Sequence, residues 1–312
     1  MNWIGKPLRR KEDFRFLIGK GEFVADIAVG AAQLYILRSP HANARITSID
    51  VGAALRMPGV LDIMTGRDIA AAGIGGLPHA YPVVNRDGTS MAAPDHPVIA
   101  LDRVLHVGDQ VAAVVAQTLD EAQSAAEAIE VRYEVLRSHT DLASSLNTDA
   151  AKVREELPNN QCFDWGLGDS DATDKAMQAA DHVVELDLIQ NRVNASPMEA
   201  RAALGAYHQG RDEYTLHTTS QNPHAIRVYL SAITLKVPEE KIRVVSPDVG
   251  GGFGMKIYHY AEEVLVLLAA RRVGRPVRWI ASRSEAYLVD AYGRDHVTKV
   301  RLGLRRDGLF TA

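Results

Sequence analysis

The stretch SPDVGGGFGMK, residues 246–256, places four glycines around Phe253 and ends on Lys256. Before it, KIRVVSP (241–247) predicts a short β-strand, and after it YAEEVLVLLAARRVG (260–274) has the apolar spacing of a helix. Glycine at this density is favoured where the backbone must turn tightly or approach another group closely. A glycine-rich turn between a strand and a helix can direct backbone N–H groups at a ligand. The stretch therefore predicts an α/β unit with a candidate binding turn.

Two familiar phosphate motifs do not fit this turn. A dinucleotide fingerprint that starts at Gly250 needs a sixth-position glycine, where Met255 stands. A P-loop needs glycine directly before the lysine and Ser or Thr directly after it, but Met255 and Ile257 flank Lys256. At this point a flexible connection without a ligand remains the alternative.

The composition of the whole chain is that of a globular protein. Its 312 residues are enough for about two domains, and 46% of them are hydrophobic and 24% charged. A net charge of -4 gives no reason to expect a nucleic-acid partner. The single cysteine, Cys162, excludes an internal disulfide and a cysteine-built zinc or iron–sulfur site, and we interpret it as an inert loop thiol. Neither a signal-peptide core nor an apolar run of about 20 residues is present, so we expect a cytoplasmic protein.

Residues up to about 140 alternate short strands with turns and a helix. A segment rich in glycine and proline, 73–97, predicts an exposed insertion, with His79 and His96 at the surface. LDEAQSAAEAI (119–129) is an alanine-rich predicted helix. The predicted strands are LYILRS (34–39), ARITSIDV (44–51), GVLDIMTG (59–66), two within VLHVGDQVAAVVAQT (104–118), and EVRYEVL (130–136).

Beyond a polar stretch from about 140 to 170, the pattern predicts a mixed α/β unit. We expect the chain to turn at Asp307–Gly308, which would leave a returning strand barely begun and a sheet edge open. The sequence is therefore expected to be part of a longer chain. In addition to 241–247, the predicted strands are DHVVELDLIQNRV (181–193), YTLHTTSQ (214–221), PVRWIAS (276–282) and HVTKVRLGLRRDG (296–308); in addition to 260–274, PHAIRVYLSAITLK (223–236) is a predicted helix.

Several motifs in matching order resemble one enzyme family. SPMEARA (196–202), TTSQNPHAIR (218–227) and SPDVGGGFGMK (246–256) are similar to the molybdenum-binding large subunit of the xanthine dehydrogenase and aldehyde oxidase family. The segments at 37–69 and 102–136 resemble the α/β hammerhead domain that opens such subunits. The segment CFDWGLGDSDATDKAMQAADHVVE and the run QNPHAIR are most similar to the large subunit of aerobic carbon monoxide dehydrogenases. The resemblance covers nearly the whole chain.

This resemblance implies an α+β fold class and a division of the chain. Residues 1–140 would form an α/β hammerhead domain and residues 141–170 a linker. Residues 171–312 would form the start of a mixed α/β molybdopterin-binding domain, which would be incomplete.

The resemblance also assigns cofactor-binding residues. Gly251, Gly252, Phe253 and Gly254 would form a wall against the molybdenum and its pterin, with the Phe253 and Gly254 amides facing the metal's oxygen ligands. Backbone donors suit this role because they stabilise anionic oxygen without adding bulk. Gln221 matches the family glutamine that hydrogen-bonds the apical ligand of the metal. Its amide offers donors without adding charge.

Other residues of these motifs are not assigned to cofactor binding. Lys256 is not assigned as a ligand, and Glu199 and Arg201 are interpreted as a structural ion pair or network. His224 is expected to cap or pack at the start of its helix. No protein side chain is assigned as a metal ligand.

The chain departs from the family pattern in two respects. Purine-oxidising members have glutamate directly after the lysine of the glycine motif, where Ile257 stands, which argues against a purine substrate. The catalytic residue is unknown, because the family's general-base glutamate and the copper-bearing cysteine of carbon monoxide dehydrogenases belong to later elements. Cys162 does not match that cysteine.

The resemblance implies a molybdenum hydroxylase that oxidises CO, or hydroxylates a small aldehyde or heterocycle, with oxygen from water. The expected cofactor is molybdopterin cytosine dinucleotide with molybdenum. FAD and [2Fe-2S] clusters would lie on partners, a FAD-binding medium subunit and an iron–sulfur small subunit. The alternatives are a truncated, non-catalytic remnant, an assembly module, or one half of a split large subunit.

Overall fold

A computed structural model describes residues 3–27, 30–79, 81–157 and 159–312. Over these residues the strands are β1 Ala32–Arg38, β2 Ala44–Asp50, β3 Val60–Thr65, β4 Arg103–Val104, β5 Gln110–Ala116, β6 Glu130–Val135, β7 His182–Gln190, β8 Ala202–His208, β9 Glu213–Thr218, β10 Ile242–Val245, β11 Val277–Ile280 and β12 His296–Leu304. The α-helices are α1 Asp13–Leu17, α2 Gly52–Leu55, α3 Gly66–Ala71, α4 Leu119–Glu127, α5 Ser170–Ala179, α6 Pro223–Tyr229, α7 Ala261–Val273 and α8 Arg283–Val289. The strands predicted from the sequence are confirmed, whereas β8, α1, α3, α5 and α8 are elements that the sequence analysis does not predict.

A seven-stranded mixed sheet organises the molecule, with strand order β10-β9-β8-β11-β1-β5-β3. Strands β1, β3 and β5 come from the first half of the chain, and the other four come from the second half. The two groups join where β1 runs parallel to β11, with Ala32 opposite Val277 and Gln33 opposite Arg278. The sheet is thus continuous across the segment that the sequence suggests is a linker. The domain boundaries at 140 and 170 stay a prediction.

Helix α7 forms the centre of the main core. Its residues from Ala261 to Ala270 are all buried, as expected for a helix with apolar residues on every side. Gly205 in β8 allows the helix to approach the sheet, because a Cβ there would lie 2.5 Å from the carbonyl carbon and oxygen of Val266. The helix ends at Gly274, which has a φ of 66°. Because the glycine-rich segment leads into α7, this packing fixes the position at which that segment ends.

A smaller core lies in the first half of the chain. Helix α4 packs its alanines, Ala122, Ala125 and Ala126, against β5. Thr118 caps the helix by accepting a hydrogen bond from the Glu121 amide, and the Glu121 carboxylate accepts one from the Thr118 amide. Strands β4, β2 and β6 form a separate three-stranded sheet. The predicted combination of helices and strands is therefore present in this half.

The predicted insertion and the predicted linker contact each other. The Arg86 amide donates to the Asp164 carbonyl at 2.9 Å, and the Ala92 amide donates to the Cys162 carbonyl at 2.8 Å. Between 141 and 168 the described residues form turns and irregular structure, and α5 begins at Ser170.

Strands β7 and β12 form a two-stranded antiparallel ribbon. All nine residues of β7 are exposed, including apolar residues such as Ile189 at 74%. After β12 the chain turns at Asp307–Gly308 as predicted, with Gly308 at a φ of 83° and Phe310 bridging back to Leu304. Among the described residues no helix is long and apolar enough to span a membrane.

Candidate cofactor-binding site

The glycine-rich segment connects β10 to α7 with an irregular backbone. Gly251 and Gly254 have φ values of 94° and 86°, in the left-handed region that favours glycine. Phe253 also has a positive φ, 52°, which is unfavourable for a bulky residue, and its side chain is 75% exposed. Backbone strain of this kind costs of order 1–3 kcal/mol per residue and is concentrated at functional sites. The turn is therefore a candidate site on backbone geometry alone.

Gln221 lies directly against this turn. Its side-chain Oε1 accepts a hydrogen bond from the Gly254 amide at 3.0 Å. A Cβ on Gly252 would lie 2.5 Å from both Cδ and Oε1 of Gln221, so the absence of a side chain at Gly252 leaves room for the glutamine. The structure thus brings together Gln221 and the glycines that the sequence singles out. It differs from expectation at Gly254, whose amide is already bonded to Gln221.

The turn carries hydrogen-bond donors that have no partner among the described residues. The amides of Gly251, Gly252 and Phe253 donate to no group in this part of the chain. Because the Gly254 amide is a donor, the oxygen of the Gln221 side chain must face it, which leaves the Nε2 donors of Gln221 without a partner in the described structure. Successive backbone N–H groups without partners in a turn can bind an anion.

Glu199 and Lys256 hold the two ends of the turn together. Glu199 Oε2 accepts from the Gly250 amide at 2.7 Å and from Lys256 Nζ at 3.0 Å. Lys256 Nζ also donates to the Glu199 carbonyl at 2.8 Å, and the Lys256 side chain has no exposed surface. Burial lowers the pKa of the Lys256 ammonium, and the neighbouring Glu199 carboxylate opposes this shift.

A second set of contacts ties the turn to the start of the chain. Arg15 pairs with Asp248 through both terminal guanidinium nitrogens: Nη1 donates to Oδ2, and Nη2 donates to Oδ1 at 2.7 Å. The Glu22 amide donates to the same carboxylate at 2.7 Å. The hydrogen bond from Arg15, followed by that from Glu22, lowers the pKa of Asp248 to about 2. Sequence reasoning missed this tether, because nothing local links Arg15 to a residue 233 positions away.

Glu199 and Arg201 were expected to form a structural ion pair or network; both lie in structural ion pairs, but with other partners and not with each other. Arg201 is buried and donates to Glu262 at 2.8 Å and to Asp290 at 2.6 Å. Its guanidinium also stacks 3.6 Å from the ring centroid of Tyr260. Burial opposes ionisation of Glu262, but Arg201 and then Arg38 outweigh it and lower the pKa of that carboxyl to about 2. Because Glu262 lies in α7, the network anchors the start of the helix that follows the turn.

The remaining residues singled out from the sequence lie elsewhere. His224 is exposed near the start of α6. His79, His96 and Cys162 line a cavity of about 960 Å³, whose lining includes neither Gln221 nor any residue of the glycine turn. Among the described residues no cluster of three His, Cys, Asp or Glu side chains could hold a metal ion.

Comparison with known proteins identifies two matching domain families. Residues 18–137 match the aldehyde oxidase and xanthine dehydrogenase a/b hammerhead domain, and residues 143–312 match the molybdopterin cofactor-binding domain. These matches confirm the expected family and the expected fold class.

Individual relatives are similar over nearly the whole chain. The carbon monoxide dehydrogenase large chain of Hydrogenophaga pseudoflava is 34% identical over 96% of this chain and 37% of its own length. The structure of quinoline 2-oxidoreductase from Pseudomonas putida 86 superimposes with a TM-score of 0.88 at 33% identity, over 98% of this chain and 38% of that one. The reconstituted CO dehydrogenase from Oligotropha carboxidovorans gives the same TM-score at 32% identity, with the same coverage.

The chain thus spans less than two fifths of the length of these relatives. Its second half matches the molybdopterin domain throughout, and the glycine turn and Gln221 lie inside that match. The chain belongs to the molybdopterin cofactor-binding family of oxidoreductases, with an aldehyde oxidase and xanthine dehydrogenase a/b hammerhead domain in its first half.

Proposed function

We propose that this chain forms the N-terminal portion of the large, catalytic subunit of a molybdenum hydroxylase of the carbon monoxide dehydrogenase type. In this proposal Gln221 and the turn from Gly251 to Gly254 bind the molybdenum–pterin cofactor. The observation that carries it is the contact between Gln221 and the turn, where the side-chain oxygen accepts from the Gly254 amide and the nitrogen remains available as a donor.

The residues present fit such a cofactor. Its metal would carry anionic oxygen ligands, which uncharged hydrogen-bond donors stabilise without adding charge. The Gln221 side-chain amide and the backbone amides at 251–253, which have no partner among the described residues, are uncharged donors that lie close together. Gly252 has no side chain, which lets Gln221 approach the turn closely. Donor type and this close approach both support the proposal.

The chemistry follows from the family. The bound cofactor would supply a two-electron acceptor, so that CO and water would give CO2, or a C–H group of an aldehyde or N-heterocycle and water would give C–OH, in each case with release of two protons. This chain's part is to hold and orient the cofactor through Gln221 and the turn. A purine substrate is disfavoured by Ile257. No residue of this chain is assigned as the general base.

Further features of the proposed enzyme rest on its relatives and on the composition. We propose that the cofactor is the cytosine dinucleotide form of molybdopterin. The electrons would leave through [2Fe-2S] clusters and FAD on an iron–sulfur small subunit and a FAD-binding medium subunit, since one cysteine cannot build a cluster. We propose the cytoplasm as the location.

The experiment is purification of the protein from its native host through an affinity tag on this chain, so that accompanying chains are retained. Molybdenum and iron are measured by elemental analysis, pterin and flavin by fluorescence, and the nucleotide by release of CMP. Dye reduction is then measured with CO, an aldehyde and an N-heterocycle. We expect molybdenum, pterin and CMP in equal amounts and turnover with one substrate class.

Two outcomes would contradict parts of the proposal. Folded protein that carries iron and flavin on its partners but no molybdenum would favour the non-catalytic remnant or assembly module. Molybdenum present only when a separate chain supplies the rest of the domain would identify one half of a split subunit.

A further inference from the structure

Lys256 connects the three parts of the proposed cofactor wall. Its ammonium reaches back across the turn to Glu199, which accepts from the Gly250 amide at the entry of the turn. Its carbonyl accepts from the Gln221 amide at 2.9 Å and from the Ser220 hydroxyl at 3.3 Å. A single residue at the exit of the turn therefore contacts both the entry and the glutamine segment.

The ion pair between Lys256 and Glu199 is largely buried, so its loss would leave a charge without compensation. Lys256 has no exposed side-chain surface, and among the described residues Glu199 is the carboxylate within ion-pair distance of it. The Glu199 Oε2 that accepts from Lys256 also accepts from Gly250, while Oε1 is buried without a partner in the described structure. Removal of the ammonium would leave a largely buried carboxylate uncompensated, which is far less favourable than removal of both charges.

We propose that Lys256 and Glu199 are positioning residues that hold Gln221 and the Gly254 amide in the geometry that receives the cofactor. The inference rests on the proposed function, but the geometry it concerns exists in the chain without cofactor. Lys256 acts through its carbonyl on Gln221, and Glu199 acts through Gly250 on the turn. Neither side chain needs to contact the cofactor.

Amide hydrogen exchange on the protein purified through its affinity tag tests the positioning directly. The reporters are the amides of Gly250, Gln221 and Gly254, each of which donates one hydrogen bond in this arrangement. We expect Lys256→Met to speed their exchange at least tenfold. Adding Glu199→Gln to that variant should restore much of the protection, because a neutral amide can still accept from Gly250 without an unpaired charge.

The double variant separates an ion-pair role from simple packing of the lysine stem. If the Lys256 side chain acted only by packing, the effects of the two substitutions on amide exchange would add, and the double variant would exchange fastest. A matched control is Lys241→Met, since Lys241 donates to the Arg211 carbonyl at 2.8 Å but lies away from the turn. The control should leave the reporters unchanged, and amides within α7 should be unchanged in all variants.

The same variants are then compared in tagged, natively purified protein for molybdenum content. Faster exchange at the turn with molybdenum content unchanged would refute the proposed function of the turn but keep the positioning role. Unchanged exchange in Lys256→Met would overturn the positioning role whatever the molybdenum content. If Lys256→Met does not fold, as judged by circular dichroism, the double variant should fold. Failure of both to fold would also overturn the inference.

Discussion

Substitution of Gly252 by alanine should disturb the proposed site through Gln221. The new Cβ would lie 2.5 Å from Cδ and Oε1 of Gln221 and 2.6 Å from its Cγ. Favourable contacts between non-bonded carbons are near 3.5–4.0 Å, so the glutamine side chain must move by about 1 Å. The backbone of Gly252 is outside the left-handed region, and alanine is therefore tolerated there without strain. The expected effect is displacement of Gln221 and loss of its bond to Gly254.

The expected effect of Gly252→Ala on folding stability differs from its expected effect on cofactor affinity. One lost hydrogen bond between neutral groups costs about 1 kcal/mol, which lowers the Tm by about 2 °C for a chain of this size. Loss of a donor to a charged oxygen costs about 1.5–3 kcal/mol, which weakens cofactor binding roughly tenfold to a hundredfold. Gly252→Ala should therefore fold with a small loss of Tm and purify with a clearly reduced molybdenum content.

Two further variants control this experiment. Gly274→Ala introduces the same methyl group at a φ of 66° with nothing within 4 Å, so it costs about 1–2 kcal/mol through strain but should keep molybdenum. Gln221→Ala should reproduce the loss of molybdenum without a clash. The measurements are thermal unfolding and elemental analysis of natively purified protein. Wild-type molybdenum content in Gly252→Ala, with the expected small change in Tm, would refute the assignment of this turn.

Two other predictions concern the ion pairs around the site. Arg201→Met should lower the free energy of unfolding, measured in urea, by about 3–5 kcal/mol, because it leaves the buried Asp290 without its partner. Arg211→Met removes an exposed ion pair and should cost about 1 kcal/mol or less. Equal costs for the two variants would contradict the buried network. The hydrogen bond from Arg15 lowers the pKa of Asp248 in the folded protein to about 2, below the value of about 3.9 in the unfolded chain. The contribution of this carboxylate to stability should therefore be complete above about pH 4 and be lost as the pH falls toward 2. Urea unfolding of Asp248→Asn should lack that part of the acid dependence, and an acid dependence equal to that of the unsubstituted protein would contradict the tether.

Local patterns were sufficient for much of the secondary structure. Helix α7 could be predicted because its apolar residues cover every side and Gly274 supplies a left-handed end. Helix α4 could be predicted from its alanines, and the structure adds the capping pair of Thr118 and Glu121. In contrast, β8 escaped prediction because alanine and glycine dominate it, and neither favours a strand. Its place in the sheet comes from packing against α7.

The candidate site could be predicted only in part. The glycines and Gln221 were identified because resemblance to a family singled them out, and their proximity is a property of the fold. The sequence suggested a structural ion pair or network for Glu199 and Arg201 but did not identify the partner of Glu199, Lys256, which is 57 positions away. Proximity in sequence is a poor guide to ion pairs when both members lie outside one helix.

The sequence by itself determined the features that depend on neighbouring residues: most of the strands, the helices α4 and α7, and the position of the glycine-rich turn between β10 and α7. It also determined the family, because motifs keep their order along the chain. Only the tertiary structure decided which distant groups meet. The pairing of β1 with β11, the tether from Arg15 to Asp248 and the closure of the turn by Lys256 each join residues far apart in sequence. Such contacts depend on burial and charge compensation in the folded molecule, and no local propensity encodes them.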